Sequence, residues 1–366
     1  MKVKIGDLTK IKTGKLDANA SSEDGQYPFF TCSREPLKIS TYSYDCECVL
    51  VAGNGDLNVK YYNGKFDAYQ RTYIIEDNGS GKLYMPYLYY FMEGYIEELR
   101  KQAIGGVIKY IKLGNLTEAL IELPSVDEQK SIVEILEKAK GILDKRNDEI
   151  CALDYLIKAR FVEMFGNFVY ERDRWNVSEI GDVADTIDPQ PSHRTPPISP
   201  DGIPYVGIAE CNYRTRRIDF KKARKVGQNV LREHTERYAL DEGDFIIGKI
   251  GTIGKPFFIP AEQNYALSAN TVLIKPIKGK VVPQYLYAVF QSEYMDRIID
   301  AEKKSTSQPA FGIQKVRRIE IPIPPLELQK QFAAFVAQTD KSKVAVQKAL
   351  GETQLLFDSV MHKYFG

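Results

Sequence analysis

The sequence predicts an α+β protein in which two globular parts are each followed by a long helix. Three observations support this fold class: short apolar runs bounded by turn residues, a proline-free stretch with helical periodicity, and a repeat that relates the two halves of the chain. At 366 residues the chain exceeds a single ordinary core, because domains contain about 150 residues. We therefore divide it into segments 1–124, 125–166, 167–324 and 325–366.

The repeat is clearest where each long helix is expected to begin. Residues 123–130 match residues 323–330 at an offset of 200, and the 42 residues from Ser125 to Gly166 recur at this offset without a gap. Upstream the match is weaker and the offset shrinks, so the second copy carries extra residues, most naturally in the proline-rich stretch 188–204. The gap-free repeat argues against the alternative of two unrelated amphipathic helices on separate domains.

The globular segments contain short strand signals. Apolar runs at 48–52, 72–75 and 245–247 are bounded by glycine, asparagine or aspartate, and residues 53–56 and 63–64 are turn signals. Short helices are expected near 86–100 and 283–301, because each of these segments opens with proline. We therefore expect α+β domains with mixed or antiparallel sheets.

Each long helix carries a narrow apolar seam with steps of three and four residues, which is typical of a coiled coil. Arg146 interrupts the first copy, and Thr339, Lys343 and Thr353 interrupt the second. A narrow seam needs a partner, so we expect the two helices, each roughly 60 Å long, to pair antiparallel with the globular domains at opposite ends and an approximate two-fold axis. The predicted seam consists of Ile132, Leu136, Leu143, Ile150, Leu153, Ile157, Phe332, Val336, Val346, Leu350 and Phe357.

Composition excludes several classes of protein. No apolar run approaches the roughly 18 residues that span a membrane, and residues 1–7 lack the apolar core of a signal peptide, so we expect a cytosolic protein. The five cysteines are scattered without a C-x-x-C pair, and the chain has only three histidines. We therefore expect reduced structural thiols, no metal site and no cofactor.

Net charge is only +1, but basic residues are unevenly distributed. Segment 167–324 holds 23 basic and 20 acidic residues, and seven of the basic residues fall between Arg214 and Lys225, opposed by Asp219 alone. Such a run is usually a solvated surface, although arginine can also pair bidentately with guanine or phosphate. Two similar but unequal domains on a fixed rod would suit a DNA site of two different blocks at a set spacing.

The order of globular domain, helix, globular domain and helix resembles the specificity subunits of type I restriction–modification systems. The apolar–proline pair followed by a Glu-x-Gln-Lys variant, at 123–130 and 321–330, is similar to the family's motif, as are the glycine-rich turn 248–255 and the polar segment 304–313. The first domain departs from this pattern, with a turn at 53–56 and residues 105–108 in place of the polar segment. The resemblance covers essentially the whole chain.

This resemblance implies that segments 1–124 and 167–324 are target-recognition domains that bind double-stranded DNA. It also implies two methyltransferase subunits docked on the helices and a restriction/translocase subunit that joins for cleavage. Base-edge readers are Arg, Lys, Asn and Gln, so we assign the contacts to loops that hold these residues. The candidates are Arg34, Asn54, Asn58, Lys60, Tyr61, Gln70 and Arg71 in the first domain, and Arg194, Arg214, Arg216, Lys249, Asn270, Lys304, Ser305 and Gln308 in the second.

Two alternatives of other classes are a DNA methyltransferase in its own right and a coiled-coil scaffold without sequence specificity. By resemblance, an adenine methyltransferase would carry an Asn/Asp-Pro-Pro-aromatic motif, and neither proline pair, at 196–197 or 324–325, fits it. The turn 248–255 is one residue too long for a P-loop and is followed by Pro256 where a Ser or Thr would hold magnesium. We therefore expect a non-catalytic subunit.

Overall fold

The computed structural model describes residues 2–192, 194–305 and 311–366. Its helices are α1 (Met85–Gln102), α2 (Leu113–Thr117), α3 (Val126–Phe165), α4 (Ile180–Val183), α5 (Gln228–Arg237), α6 (Pro283–Phe290), α7 (Glu293–Ser305), α8 (Ile313–Arg317) and α9 (Leu326–Phe365). Its strands are β1 (Lys2–Lys4), β2 (Thr9–Thr13), β3 (Tyr27–Phe30), β4 (Leu37–Ile39), β5 (Tyr44–Ala52), β6 (Val59–Ala68), β7 (Thr72–Asp77), β8 (Leu120–Glu122), β9 (Val177–Glu179), β10 (Ala184–Ile187), β11 (Ile198–Val206), β12 (Cys211–Asn212), β13 (Arg217–Ile218), β14 (Arg224–Val226), β15 (Phe245–Gly248), β16 (Pro256–Phe258), β17 (Ala266–Leu267), β18 (Thr271–Pro276) and β19 (Glu320–Pro322). Among these helices, none has a segment both long and apolar enough to cross a bilayer.

The chain forms two compact units. Unit 1 consists of Met1–Asn147 and Ala349–Gly366, and unit 2 consists of Asp148–Lys348. Each unit therefore contains one globular part together with a portion of α3 and a portion of α9. The predicted α+β class, with mixed and antiparallel sheets and two long helices, is confirmed.

The main sheet of unit 1 has six strands in the order β2-β7-β5-β6-β3-β4. Neighbouring strands are antiparallel except β3 and β6, which are parallel. Side chains alternate along β5, so Val49 and Val51 join the core beneath α1 while Cys48 and Leu50 join a smaller core on the opposite face. Both faces of this strand are therefore buried.

Helix α1 and the two long helices share the larger core of unit 1. Leu136 on α3 is fully buried in this core, and Val360 on α9 packs against it. The ring of Tyr87 on α1 lies 5.0 Å from the ring of Phe365, near the end of α9. The start of α3 and the end of α9 are therefore part of the hydrophobic core of this unit.

Unit 2 has a four-stranded sheet in the order β10-β18-β15-β16, with antiparallel neighbours. A second sheet, β14-β11-β17, is mixed because β11 and β17 are parallel. The expected helix over 283–301 is in fact two helices, α6 and α7. Ser292 separates them, since its hydroxyl donates to the Val289 carbonyl at 2.6 Å and accepts from the Met295 amide at 3.4 Å.

The two long helices run antiparallel where they meet in unit 2. The ring of Phe332, near the start of α9, lies 5.5 Å from Phe165 at the end of α3 and 5.6 Å from Phe161. Further along α9, Lys343 contacts Asp154, which precedes Phe161 on α3. Later residues of α9 thus contact earlier residues of α3.

The predicted seam is largely removed from solvent. Leu153, Val336, Leu350 and Phe357 are partly buried. The remaining seam residues are all buried, and they are Ile132, Leu136, Leu143, Ile150, Ile157, Phe332 and Val346. Thr339 and Lys343, which interrupt the apolar pattern, are also buried.

The repeat is visible in matching contacts within each unit. In unit 1 the Tyr87 hydroxyl donates to the Glu122 carbonyl at 3.0 Å, and in unit 2 the Tyr285 hydroxyl donates to the Pro322 carbonyl at 2.6 Å. Both tyrosines lie on the helix that follows the main sheet, and both carbonyls lie on the last strand before a long helix. The two units therefore join these elements in the same way.

The glutamine of the repeated motif is fully buried in both units. Gln129 accepts from the Tyr84 amide at 2.8 Å and donates to the carbonyls of Lys82 and Pro124 at 2.8 and 3.0 Å. Gln329 accepts from the Val282 amide at 2.9 Å and donates to the Pro324 carbonyl at 2.7 Å. Each side chain therefore links the first turn of a long helix to the residue that immediately precedes α1 or α6.

Replacing Gln329 by leucine should lower the free energy of unfolding by about 1–3 kcal/mol, because the Val282 amide and the Pro324 carbonyl lose a buried partner. Gln129→Leu should lower the free energy of unfolding of unit 1 by a similar amount. The exposed Gln331, two residues along α9, supplies the control variant Gln331→Leu. Urea denaturation of the full-length variants measures the difference, and equal stabilities for Gln329→Leu and Gln331→Leu would contradict the structural role.

Candidate nucleic-acid interface

Three loops of unit 1 converge on the turn between β5 and β6, and we call residues 32–35, 53–58, 69–71 and 104–110 the first loop cluster. The Gly53 amide donates to the Arg71 carbonyl at 2.8 Å, and the Asn58 side-chain amide donates to the Cys32 carbonyl at 2.9 Å. The Gly55 amide donates to the Lys109 carbonyl at 3.1 Å. Each of the other three loops is thus hydrogen-bonded to the turn.

The first loop cluster presents positive charge. Arg34 and Arg100 both reach the carboxylate of Asp56, at 3.1 Å each. The hydrogen bond and charge of Arg34, with those of Arg100, hold the pKa of Asp56 below its usual range. The carboxylate of Asp56 therefore forms ion pairs with two arginines. Arg71, in the same cluster, is a further exposed cationic side chain.

Several residues of unit 1 that were predicted to contact DNA form hydrogen bonds within the protein instead. The Asn58 amide also donates to the Asp56 carbonyl at 2.8 Å, and the ammonium of Lys60 contacts the Asn58 oxygen. Burial lowers the pKa of Lys60. Gln70 donates to Asp17 at 2.9 Å, and Tyr61, on β6, donates to Glu47 at 2.7 Å.

The structure thus brings five predicted residues of unit 1 into one cluster and leaves Lys60 and Tyr61 on strand β6 outside it. The hydrogen bonds of Asn58, Lys60 and Gln70 fix loop conformation. Arg34, Gln70 and Arg71 are exposed and Asn54 is partly exposed. The five are Arg34, Asn54, Asn58, Gln70 and Arg71.

In unit 2 we call residues 188–190, 248–254 and 268–270 the second loop cluster. The Lys249 amide donates to the Asn270 carbonyl at 2.8 Å, which joins two of these loops. The Lys249 ammonium lies 3.2 Å from Asp188, and both side chains are only 13% exposed. Lys249 therefore connects the three loops, and its charge is engaged within the protein.

The segment 188–190 is anchored by α5. His234 is buried, with Nε2 2.8 Å from the Gln190 amide oxygen and Nδ1 2.9 Å from the Tyr238 hydroxyl. Arg237 donates to the carbonyls of Pro189 and Asp188 at 2.9 and 2.8 Å. Burial, with the nearby charge of Arg237, lowers the pKa of His234 to about 4, so its ring is neutral near pH 7.

Arg214 and Arg216 lie elsewhere in unit 2, on the β12–β13 hairpin. Arg216 lies 2.5 Å from Asp340 on α9 and 3.5 Å from Asp154 on α3, and Gln347 donates to the Arg214 carbonyl at 2.9 Å. Arg216 also adopts a left-handed backbone with φ of 52°, which is uncommon outside glycine. The hairpin is therefore held against the long helices, and these two residues are not part of the second loop cluster.

The other predicted residues of unit 2 are placed as follows. Asn270 is exposed within the second loop cluster, and Arg194 is exposed on the segment before β11. Lys304 is exposed near the end of α7, and Ser305 is the last residue of that helix. Gln308 lies outside the described residues.

The exposed donors in these clusters, Arg34 and Arg71 in the first and Asn270 in the second, suit a polyanion. Arginine, lysine and asparagine side chains can pair with base edges in the major groove and with phosphate oxygens. Within the described ranges, no group of three or more His, Cys, Asp or Glu side chains is placed to hold a metal ion. The exposed arginine and asparagine side chains of these loops are chemically suited to an anionic partner.

A family model of the type I restriction modification DNA specificity domain matches residues 1–152 and 172–353. The chain belongs to this family. The resemblance inferred from the repeated motif is therefore confirmed, and so is the prediction of a non-catalytic subunit, because the family's members are specificity subunits.

Two named relatives illustrate the range of similarity. The chain is 44% identical over 135 residues to the EcoDI specificity subunit of Escherichia coli, and this alignment covers 37% of the chain and 30% of that protein. It is 24% identical over 383 residues to the MjaVIII specificity subunit of Methanocaldococcus jannaschii, covering 95% of the chain and 89% of that protein. The chain thus spans less than a third of the EcoDI subunit but nearly the full length of the MjaVIII subunit.

Solved structures support the fold. The S subunit of a type I restriction–modification system from M. genitalium matches with a TM-score of 0.61 at 16% identity, covering 100% of this chain and 96% of that one. A chain from a study of complex assembly and conformational transition of a type I system matches with a TM-score of 0.57 at 16% identity, covering 100% and 97%. At these identities the likeness concerns the fold alone.

Several residues that shape the loops were not singled out from the sequence. Arg100 and Asp56 stabilise the first loop cluster, and Asp188, His234 and Arg237 stabilise the second. Asp56 lies within a recognised turn, which was a usable signal. His234 gave no signal, because a single histidine on a short helix resembles any surface residue until its partners are known.

Proposed function

We propose that this chain is the DNA-reading subunit of a type I restriction–modification complex and binds double-stranded DNA through both loop clusters. The observation that carries this proposal is that two units built on the same repeat each hold a loop cluster with exposed donor side chains, Arg34 and Arg71 in unit 1 and Asn270 in unit 2. The two clusters differ in sequence, so the site read would be bipartite and asymmetric. The length of the spacer between its blocks would depend on the two long helices.

The proposed division of labour follows the repeat. Segments 1–124 and 167–324 would act as target-recognition domains, and the helical segments 125–166 and 325–366 would dock two methyltransferase subunits and a restriction/translocase subunit. Methyl transfer and base flipping would be carried out by the methyltransferase subunits, which would bind the methyl donor S-adenosylmethionine. A function on genomic DNA also implies a cytoplasmic location.

The exposure and hydrogen bonds of the predicted residues divide them into those that would contact DNA and those that would position the loops. Arg34, Asn54 and Arg71 would contact DNA from the first loop cluster. In unit 2, Asn270, Arg194 and Lys304 are exposed and would contact DNA, while Ser305 and Gln308 are retained on the sequence motif alone. Asn58, Lys60, Gln70 and Lys249 would position the loops, and Arg214 and Arg216 would orient their hairpin against the helices.

The experiment is selection of a randomised duplex library by the chain co-expressed with its methyltransferase subunits. A motif of two blocks supports the proposal, and Arg71→Ala should weaken cognate binding by about 1–3 kcal/mol per lost base contact. Lys38→Ala, an exposed lysine on β4, is the control and should leave the motif unchanged. Failure to enrich any sequence would refute the reading function.

The same experiment addresses the two alternatives. A coiled-coil scaffold would co-purify with partners but enrich no motif. A methyltransferase in its own right would transfer methyl groups from S-adenosylmethionine to DNA without any added subunit. Methylation by the purified chain alone would therefore replace the proposed function with an enzymatic one.

A further inference from the structure

The loop 104–110 of the first loop cluster is a hairpin closed at its base by one antiparallel bridge. Ile104 and Tyr110 exchange both backbone hydrogen bonds, at 3.0 and 2.8 Å. Gly105 closes the turn with φ of 120°, where a Cβ atom would lie 2.6 Å from the Ile108 carbonyl oxygen. The Ile111 amide donates to the Gly53 carbonyl at 2.9 Å, so the base of the hairpin is fixed to the β5–β6 turn.

The tip of this hairpin is apolar and unusually exposed. Val107 is 104% exposed and Ile108 is 63% exposed, relative to the extended residue. Large apolar side chains held in water on a fixed loop indicate a contact surface. The tip is therefore a candidate for direct contact with a partner.

Its electrostatic surroundings favour an anionic partner. Between Ala103 and Thr117 the charged residues are Lys109 and Lys112, with no acidic residue. Both lysines are exposed, and the neighbouring Asp56 is matched by Arg34 and Arg100. The apolar tip is thus followed in the chain by two exposed lysines, as expected for a loop that approaches a phosphate backbone.

We propose that Val107 and Ile108 enter the DNA major groove and pack against the C5-methyl groups of thymines in the block read by unit 1. The proposal rests on the proposed reading function. The major groove, about 12 Å wide, admits an element as wide as an α-helix or a two-stranded ribbon, whereas the minor groove is only about 6 Å wide, so the tip of this hairpin is expected to enter the major groove. Thymine methyl is the apolar group on the major-groove edges of the bases, so it is the chemical match for this tip.

The test is a double-mutant cycle between protein and DNA. The complex with methyltransferase subunits, carrying wild-type chain or Val107→Ala/Ile108→Ala, binds a duplex with the selected site or the same duplex with deoxyuridine replacing thymidine in one block. Burial of a few methyl groups predicts about a tenfold loss on thymine DNA for the double variant. On deoxyuridine DNA, wild type and variant should bind almost equally, because the methyl partner is already absent.

The control variant is Leu120→Ala, an exposed leucine on β8 of the same unit that lies outside the loop cluster. The proposal would be overturned if the double variant lost equal affinity for thymine and deoxyuridine DNA, or lost affinity for neither. A selected unit 1 block that contains no thymine would also overturn it. Loss of methyltransferase co-purification instead would show that the tip binds protein. These outcomes differ from failure of the reading function, in which the wild-type complex selects no sequence at all.

Discussion

Replacing Phe332 by alanine should lower the free energy of unfolding of unit 2 by about 3–5 kcal/mol, since large aromatic deletions in a packed core cost this much. Phe332 is fully buried, and its ring contacts Phe161 and Phe165 on the opposing helix. Removing the ring leaves a cavity where the helices meet the core of unit 2. Denaturant unfolding of the full chain measures the loss, and hydrogen exchange assigns it to unit 2.

Val344 provides the control, because it lies on the same helix and is 65% exposed. Val344→Ala should change the free energy of unfolding by less than about 0.5 kcal/mol. If Phe332→Ala were no more destabilising than this control, the packing of the long helices in unit 2 would be contradicted.

Replacing Asp154 by alanine should destabilise unit 2 by about 2–3 kcal/mol, whereas Lys343→Met should cost less than about 1 kcal/mol. Lys343 is buried on α9, with its side chain only 4% exposed, and its ammonium contacts Asp154. Removing Asp154 leaves a buried cation without its anion. Methionine instead fills the same space without a charge, and Asp154 retains Arg216 at 3.5 Å.

The expected cost for Asp154→Ala is lower than for a fully buried pair because Asp154 is half exposed. Thermal unfolding of both variants and of the double variant measures the coupling. Asp148→Ala, at an exposed position on the same helix, is the control. A larger cost for Lys343→Met than for Asp154→Ala would show that the ion pair is not organised in this way.

The long helices could be predicted from sequence because the internal repeat and the apolar periodicity both indicate helices in the same two segments. The seam includes Leu136 and Phe332, and both are buried. Lys343 was interpreted as an interruption because its partner Asp154 is identified only by the register of the other helix. The break between α6 and α7 was missed, since Ser292 forms its capping contacts only once the chain has turned.

The loops could be predicted as turns but not as clusters. Residues 53–56 were recognised as a turn, but the contacts of Gly53 with Arg71 and of Gly55 with Lys109 depend on the order of strands in the sheet. Similarly, the basic run of unit 2 suggested that Arg216 reads DNA, whereas its partners Asp340 and Asp154 come from distant parts of the chain. Residue type indicated the chemistry, and tertiary contacts decided which side chains are available for it.

Each unit is proposed to read its own block of a two-part DNA site. Genome-wide mapping of methylated bases, in cells that express the chain with its methyltransferase subunits, tests this proposal when wild type is compared with Arg71→Ala. We expect one motif of two blocks around an unspecified spacer, with Arg71→Ala relaxing a single block. A continuous motif, or equal loss of specificity in both blocks, would show that the units do not read separate blocks.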